Sequence, residues 1–307
     1  MRITTFVFLF LAIAVVAASA YFAKKTKDKR HVTDPDPTGF FPYNVNSPSK
    51  EFDLKKKLRE ISDLSYDPAS NSIWAVADEK GVLHRIHLPE GEPVDHFKFG
   101  KNGDYEGVEA IGDTLYAMES NGRITRILNA TSDSPETEIF ENPSLEDNDI
   151  EAFMYDPNLR KLVIGIKTPK ENKDARAFYT FDPVTAQLDE QPLFVISLSD
   201  IQAFLRKNGL EGDYYHRWLK KKADMPSPSA SAIQPGTGHY FILCSVGKTL
   251  LVTQPNGEIL QVVALDEDLH NQPEGLSFTP DGTMYISNEA GGGAAKLYAY
   301  SMIGAGK

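Results

Sequence analysis

The sequence contains only one cysteine in 307 residues and none of the short motifs that mark several common enzyme classes. A single cysteine cannot form an internal disulfide, and Cys244 lies in the apolar run YFILCSV, which predicts a buried and unreactive thiol. No CxxC, HExxH or GxSxG segment occurs, and the seven histidines lack the spacing of metal ligands. The sequence therefore indicates no catalytic residue and contains no motif typical of a dithiol, zinc or serine enzyme.

Basic residues are also in short supply. Lysine and arginine number 32 against 43 aspartates and glutamates, for a formal net charge of −11 at pH 7. This charge excludes bulk attraction to nucleic acid, so we expect no nucleic-acid partner. The acidic balance leaves room for bound cations, although solubility alone explains it. The GGG segment at residues 291–293 lacks a Walker lysine and is predicted to be a flexible loop rather than a phosphate-binding loop.

Only one long apolar run is present, from Phe6 to about Ala23. Its length is close to the lower limit for a membrane-spanning helix, roughly 17 residues, and ASA at residues 18–20 also resembles a signal-peptide cleavage site. No cysteine lies nearby, which excludes a lipoprotein anchor. Five basic residues within positions 24–30 oppose simple export, because such flanks stay in the cytoplasm. Residues 1–23 are therefore predicted to be a membrane anchor or signal segment, and the polar, proline-rich residues 24–49 a tether.

The remaining residues, 50–307, show a repeated pair of predicted strands separated by Gly, Pro, Asn and Asp turns. One strand of the pair occurs as SIWAVAD, TLYAMES, KLVIGIK, YFILCSV and TMYISNE, and the other precedes it as ISDLSYDP, EGVEAIGD, IEAFMYDP, SASAIQPG and EGLSFTPD. Alignment on the turns, with one gap, gives intervals of 44, 45, 78 and 45 residues between Ser62, Glu106, Glu151, Ser229 and Glu274. A period of about 45 residues with four strands per repeat is typical of a β-propeller blade. The sequence thus predicts an all-β propeller domain.

The long interval of 78 residues is predicted to contain a short helical insertion near residues 198–222 rather than a further blade. Ile201, Phe204 and Leu205 fall at helical spacing, and Ser199 or Asp200 could cap the helix. We therefore expect five blades, with six as the alternative. Only about three strands fit after the last repeat begins, so KEFDLKKKL at residues 50–58 is predicted to supply the missing outer strand and close the ring.

The repeats resemble those of the SdiA-regulated β-propeller family. QPEGLSFTPDGTMYISNE followed by a glycine-rich loop and KLYAYS is similar to the closing repeat of that family, and LREISDLSYDPASNSIWAVADEKGVLHRI, DYEGVEAIGDTLYAMESNGRITRI and PSASAIQPGTGHYFIL are similar to earlier repeats. The resemblance implies a bacterial envelope protein with an N-terminal membrane segment and a propeller on the exported face, periplasmic or extracellular. It favours an uncleaved anchor and leaves the biochemical activity undefined. One departure is Asp63, which follows Ser62 where a glycine is expected.

Equivalent residues on the first strands of the blades are expected to form a ring around the channel axis. Three positions of this ring are Glu106, Glu151 and Glu274, and acidic residues occur two positions upstream in three blades, at Glu60, Asp104 and Asp149. Residues two apart on a strand point the same way, so all six carboxylates are predicted at one channel mouth. Such an all-oxygen set suits a hard cation, for which Ca²⁺ is the best match. In the alternative interpretation the ring glutamates accept hydrogen bonds from backbone N–H groups of neighbouring blades and hold the ring together without a metal.

The ends of the second strands should return to the same mouth and add ligand-binding candidates. These candidates are Lys167, Glu119, Asn288 and Glu289. Lys167 could neutralise the glutamates or contact an anionic substrate, and an ordinary ion pair is the simpler interpretation.

Two functions fit these features. The first is a membrane-anchored envelope propeller that binds a cation, and a ligand or protein partner, at the channel mouth. The alternative is a calcium-dependent phosphoesterase or esterase of phytase-like type, in which Ca²⁺ polarises the substrate and a glutamate is the base. A phosphatase needs several basic groups near the metal, and only Lys167 is predicted there, which favours the binding module.

Overall fold

The computed structural model describes residues 41–88, 92–212, 214–220 and 224–303. The predicted anchor at residues 1–23 and the tether up to residue 40 lie outside the described residues. Within those four ranges, no helix is both long and apolar enough to cross a bilayer.

Five antiparallel sheets follow one another along the chain. A first short strand, β1 (Lys50–Asp53), precedes a 3₁₀ turn at Lys56–Leu58. Blade 1 contains β2 (Ile61–Asp67), β3 (Ser72–Ala77), β4 (Val82–His87) and β5 (Glu92–Lys98). Blade 2 contains β6 (Tyr105–Ile111), β7 (Thr114–Glu119), β8 (Ile124–Leu128) and β9 (Glu136–Phe140). Blade 3 contains β10 (Asp149–Asp156), β11 (Lys161–Thr168), β12 (Ala175–Asp182), β13 (Gln187–Leu188) and β14 (Phe194–Ser197).

The remaining elements complete the ring. Two short helices, α1 (Leu198–Lys207) and α2 (His216–Leu219), separate blades 3 and 4. Blade 4 contains β15 (Ser227–Ile233), β16 (Tyr240–Val246), β17 (Thr249–Thr253) and β18 (Ile259–Ala264). Blade 5 contains β19 (Pro273–Phe278), β20 (Met284–Asn288) and β21 (Lys296–Tyr300). The first strands of neighbouring blades touch in the cyclic order β2, β6, β10, β15, β19 and back to β2, so they surround a common axis. The chain is a five-bladed β-propeller, as the sequence predicts.

Each seam between neighbouring blades is filled by its own hydrophobic cluster. One buried member per seam illustrates this arrangement, in the order 5–1, 1–2, 2–3, 3–4 and 4–5: Leu64, Trp74, Phe153, Tyr240 and Phe278. Since the apolar faces of a blade can be buried only against other blades, closing the ring is what removes the last exposed face.

Strand β1 closes the ring because it pairs antiparallel with β21, from Lys50 opposite Ala299 to Asp53 opposite Lys296. Blade 5 therefore takes its outer strand from the N-terminal part of the propeller, as the sequence predicts. Only residues 50–53 of the predicted 50–58 segment form this strand.

The described end of the predicted tether, residues 41–49, is packed rather than extended in solvent. Phe41, Tyr43 and Val45 are buried in the cluster between blades 4 and 5. The Tyr43 hydroxyl donates to the carbonyl of Gly282 at 2.7 Å, and the N–H of Ile303 donates to the carbonyl of Pro42 at 2.7 Å. The propeller thus begins before residue 50, because these apolar side chains pack into the seam between blades 4 and 5. The sequence did not indicate this packing, because the segment around them is mostly polar.

The helical insertion lies over the seam between blades 3 and 4, where Ile201 and Leu205 of α1 are fully buried. The helix cap differs from the prediction. Ser197 is the N-cap and accepts from the N–H of Asp200 at 3.2 Å, while the Asp200 carboxylate accepts from the N–H of Ser197 at 2.8 Å. This reciprocal capping box places Asp200 three residues into the helix rather than at its cap.

Candidate functional site at the channel mouth

A β-bulge occurs at the same place on the first strand of every blade. Blade 2 shows the pattern: Tyr105 pairs with Glu119, the next pair is Gly107 with Met118, and Glu106 is left out of the ladder. The five residues skipped in this way are Ser62, Glu106, Glu151, Ser229 and Glu274. A bulge re-aims a side chain and ends regular pairing. The ring inferred from the repeat alignment is therefore a structural repeat as well.

The three ring glutamates lie within each other's electrostatic field. Burial raises the pKa of Glu106, and the neighbouring carboxylates of Glu151, Asp104 and Glu274 raise it further. Burial raises the pKa of Glu274 to about 7, against the opposing effect of Lys167 and with the help of Glu289. Carboxylates that are both desolvated and close to one another favour protonation or the arrival of a cation.

Lys167 supplies a cation to this ring. A second bulge, on β11, leaves Lys167 unpaired in the ladder, and its ammonium forms an ion pair with Oε1 of Glu151. Burial alone would lower the pKa of Lys167, but the carboxylates of Glu151, Glu274 and Asp149 raise it above its ordinary value. The lysine is therefore held as a charged ammonium beside the glutamates, as the ion-pair interpretation of this residue expected.

Glu151 is the most deeply buried of the ring carboxylates, with 6% of the residue exposed. Its Oε2 atom is buried and has no hydrogen-bond partner among the residues that the structure describes. A buried acceptor on a charged group is costly when it is left unsatisfied. The Oε2 atom of Glu151 could therefore accept a hydrogen bond from a further donor or contact a cation.

The acidic residues two positions upstream lie farther out. Glu60 and Asp104 are exposed, Asp149 is half-buried, and Asp104 accepts a hydrogen bond from the Ser120 hydroxyl. Strand β6 begins at Tyr105, so Asp104 lies outside the strand. The rule that residues two apart on a strand point the same way therefore does not apply to Asp104 and Glu106. Glu60 and Asp104 therefore form an exposed rim outside the glutamates, whereas Asp149, the first residue of β10, is half-buried and adds to the effect of burial in raising the pKa of Glu151.

The candidates on the second strands divide into two groups. Glu289, adjoining β20, accepts a hydrogen bond from Gln272 at 2.8 Å, and burial together with Asp78 and Glu60 raises its pKa. Asn288 is buried, and both atoms of its amide lack a hydrogen-bond partner among the described residues. Glu119 instead makes an ion pair with Arg123 at 3.5 Å.

Other side chains perform the blade-to-blade role that one interpretation assigned to the ring glutamates. The buried carboxylate of Asp63 accepts from the N–H of Val108 at 3.0 Å, so the residue found where a glycine was expected joins blades 1 and 2. A second set lies three residues after the ring position, where a polar side chain accepts a backbone N–H of the next blade: Ser65 from Ala110 at 3.0 Å, Glu109 from Tyr155 at 3.1 Å and Ser277 from Tyr66 at 3.0 Å. The sequence could have indicated this second set, because three of the five repeats carry a polar residue three positions after the ring residue.

Among the described residues, no group of three or more His, Cys, Asp or Glu side chains is placed so that it could hold a metal ion. The six residues predicted as metal ligands are thus near one another in part but not assembled as a ligand set. Lys167 occupies Oε1 of Glu151, the position where a ring cation would be expected to bind. In the structure, the channel mouth is an acidic ring in which the ammonium of Lys167 is the counter-ion.

A family model described as SdiA-regulated matches residues 43–291, which is more than half of the chain. The chain belongs to the SdiA-regulated family. The match covers most of the propeller and includes every ring residue of this family member. The comparison with curated proteins gave no match.

Some solved structures are similar in fold to this SdiA-regulated chain but share little sequence with it. Glutaminyl cyclase of Myxococcus xanthus has a TM-score of 0.53 and 12% identity, with 84% of this chain and 96% of that chain covered. Regucalcin of Agrobacterium tumefaciens, a calcium-binding protein, has a TM-score of 0.49 and 12% identity, with 86% and 95% covered. At such identities the similarity concerns the fold alone.

Proposed function

We propose that the protein is a binding propeller without catalytic activity that takes up a cation at its channel mouth, and that Ca²⁺ is this cation. The observation that carries the proposal is the buried, unpartnered Oε2 of Glu151 within a ring of mutually repelling carboxylates. The donors are oxygen atoms of carboxylates, which suit a hard cation such as Ca²⁺.

Charge supports a divalent ion. Glu106, Glu151 and Glu274 carry three negative charges when ionised, and Lys167 offsets one of them, which leaves two. One Ca²⁺ neutralises this remainder. Uptake then requires the Lys167 ammonium to leave Glu151 and the ring carboxylates to turn toward a shared ion. Ca²⁺ and Lys167 therefore compete for Oε1 of Glu151, while the displaced ammonium still balances the third ring charge.

Calcium titration followed by thermal unfolding tests the proposal. Since a ligand that binds only the folded state stabilises it by mass action, the gain should be about 2.7 kcal/mol at one hundred times the dissociation constant, and chelator should reverse it. The double variant Glu151→Gln and Glu274→Gln keeps the side-chain size and removes two ring charges. Its melting temperature should not respond to calcium.

A matched control removes two charges elsewhere. Glu136 and Glu138 lie exposed on β9, the outer strand of blade 2, and their double change to glutamine should leave the calcium response intact. A parent protein whose melting temperature is flat across the titration would refute calcium binding. An equal response in the parent and the ring variant would place the ion elsewhere.

The hydrolase alternative is tested with the same protein. We expect no calcium-dependent turnover of p-nitrophenyl phosphate or p-nitrophenyl acetate, because the proposal assigns the ring carboxylates to cation binding rather than to catalysis. Turnover that is lost in the Glu151→Gln and Glu274→Gln variant would replace the binding proposal with the enzymatic one.

We further propose that residues 1–23 anchor the propeller on the exported face of a membrane. The apolar run and the family resemblance support this location, and the basic residues at 24–30 oppose it. A C-terminal alkaline phosphatase fusion, which is active only outside the cytoplasm, distinguishes the two orientations. An inactive fusion of normal abundance would contradict the exported location.

A further inference from the structure

A buried histidine joins residues 41–49, the latch segment, to the propeller. His270 lies in the connection between β18 and β19, and 0% of the residue is exposed. Its Nε2 atom donates to the carbonyl of Val45 at 3.0 Å, and the Tyr300 hydroxyl lies 3.0 Å from the same nitrogen. One imidazole nitrogen therefore contacts both the latch segment and the last strand of blade 5.

These contacts fix the protonation state of the ring. A backbone carbonyl can only accept, so the hydrogen bond to Val45 requires the proton on Nε2. Nδ1 is then the unprotonated nitrogen, and it is buried without a hydrogen-bond partner among the described residues. A charged His270 would place an N–H at Nδ1 with no acceptor and a positive charge away from water. Docking of the latch segment therefore favours the neutral ring.

The groups around the imidazole provide little compensation for a positive charge. Tyr298 and Tyr300 of β21 pack against the ring with centroids 5.8 and 6.0 Å away, and phenols are neutral at and below physiological pH. The latch segment, FPYNVNSPS, contains no acidic or basic residue. Burial lowers the pKa of His270 to about 4; its backbone hydrogen bond and Asp266 oppose the change, and Lys248 strengthens it.

We propose that residues 41–49 are a pH-sensitive latch, which protonation of His270 releases from the seam between blades 4 and 5. Once the segment leaves, the ring loses the Val45 carbonyl and gains water, so it takes up a proton near its ordinary pKa of 6.5. The released form then binds more protons than the docked form. Docking is fully stable above pH 6.5 and is weakened as the pH falls toward about 4.

Release of the latch also frees the connection that leads into the channel mouth. The N–H of Asp266 donates to Oδ1 of Asn46 at 3.2 Å, so the latch segment holds this connection at Asp266 as well as at His270. The ring residue Glu274 follows His270 by four positions. The inference goes beyond the proposed function, because no bound cation takes part in the release.

Hydrogen–deuterium exchange of the full chain at pH 7 and pH 5 measures latch opening, with chelator present and with correction for the intrinsic exchange rate. The N–H of Ile303 reports docking directly, because it donates to the carbonyl of Pro42 at 2.7 Å. The N–H of Asp266 reports it through Asn46. The amides of β16 lie in the interior of blade 4 and report global unfolding.

Three variants accompany the parent. His270→Gln is diagnostic, because its amide can still donate to Val45 and does not titrate. His216→Gln is the matched control, since this histidine is exposed on α2. Tyr43→Phe weakens the latch without changing a titratable group of the relevant pH range, because it removes the hydroxyl that donates to Gly282 at 2.7 Å.

Opening in the parent should be about 20-fold more frequent at pH 5 than at pH 7, given pKa values of about 4 in the docked form and 6.5 in the released form. The amides of β16 should not share this rise. His270→Gln should open equally at both pH values, and His216→Gln should behave like the parent. Tyr43→Phe should open more often than the parent by the same factor at both pH values.

Three results would overturn the inference: a parent whose latch opening does not change with pH, an equal pH response in the parent and His270→Gln, or a rise that the latch amides and β16 share. If His270→Gln does not fold, an NMR titration of the imidazoles in the parent decides. A His270 ring that titrates at its ordinary pKa while the latch amides stay protected would contradict the latch. Calcium is absent throughout, so failure of the latch leaves the calcium titration of the proposed function unaffected.

Discussion

Replacing Glu109 by glutamine should change the pH dependence of stability in a defined direction. Glu109 lies inside the ring on β6, three residues after Glu106, and joins blades 2 and 3. One of its oxygens accepts from the Ser65 hydroxyl at 2.8 Å and the other from the N–H of Tyr155 at 3.1 Å. Glutamine keeps the size of the side chain and removes the charge that this position must otherwise desolvate.

The magnitude follows from the pKa of the carboxyl. Burial raises the pKa of Glu109 from 4.5 to about 7, although its hydrogen bonds from Ser65, Tyr155 and Ala110 oppose the change. Between these two values the folded protein binds more protons at this site than the unfolded chain does. The stability that the protonated group provides is therefore fully present below pH 4.5 and is lost as the pH rises through about 7. At about 1.4 kcal/mol for each pH unit, the loss between pH 5 and pH 8 is about 2 to 3 kcal/mol.

Urea unfolding at pH 5 and pH 8, with chelator present, measures this effect in the parent and in Glu109→Gln. Other acidic groups of the mouth also titrate, so the informative quantity is the difference between the two proteins in their change with pH. The stability of Glu109→Gln should fall by about 2 to 3 kcal/mol less than that of the parent. The control Glu136→Gln, on the exposed outer strand β9, should behave like the parent. Parallel pH profiles for the parent and Glu109→Gln would refute the raised pKa and the burial that causes it.

Three further variants test the ring. Without residues 41–53 the chain loses β1 and three buried side chains, so its free energy of unfolding should fall by more than about 4 kcal/mol, and an unchanged urea midpoint would contradict the closure. Gly107→Ala should cost about 1 to 3 kcal/mol by thermal unfolding, because the new methyl group would lie 2.6 Å from Cβ of Phe153, whereas Gly212→Ala meets nothing within 4 Å and is its control. Lys167→Met should tighten calcium binding in a direct titration, since it removes the competing ammonium, and a weaker affinity would show that the lysine assists the ion instead.

Much of the fold could be predicted from the sequence because each blade of a propeller repeats the same kinds of turn and the same alternation of apolar residues. The segments ending in YDP and TPDG form turns in which an aspartate side chain accepts neighbouring N–H groups, as Asp156 does from Asn158 at 2.7 Å and Asp281 from Thr283 at 3.0 Å. With the alternation of apolar residues, these turns set the period, and the period identified the five blades. The cap of α1 was misplaced by two or three residues because Ser197, Ser199 and Asp200 are all suitable caps and only the end of β14 selects one.

The ring position was also determined by the sequence, since equivalent residues of a cyclic repeat must surround one axis. Only the tertiary structure decided what each ring residue does. The bulges bring Lys167 onto Glu151, and the start of β6 leaves Asp104 at the rim. The seams determine which polar groups face a neighbouring blade, so Asp63 and Glu109 join blades while Oε2 of Glu151 stays without a described partner. Such contacts join residues about 45 positions apart, and local sequence preferences carry no information about distances across a seam.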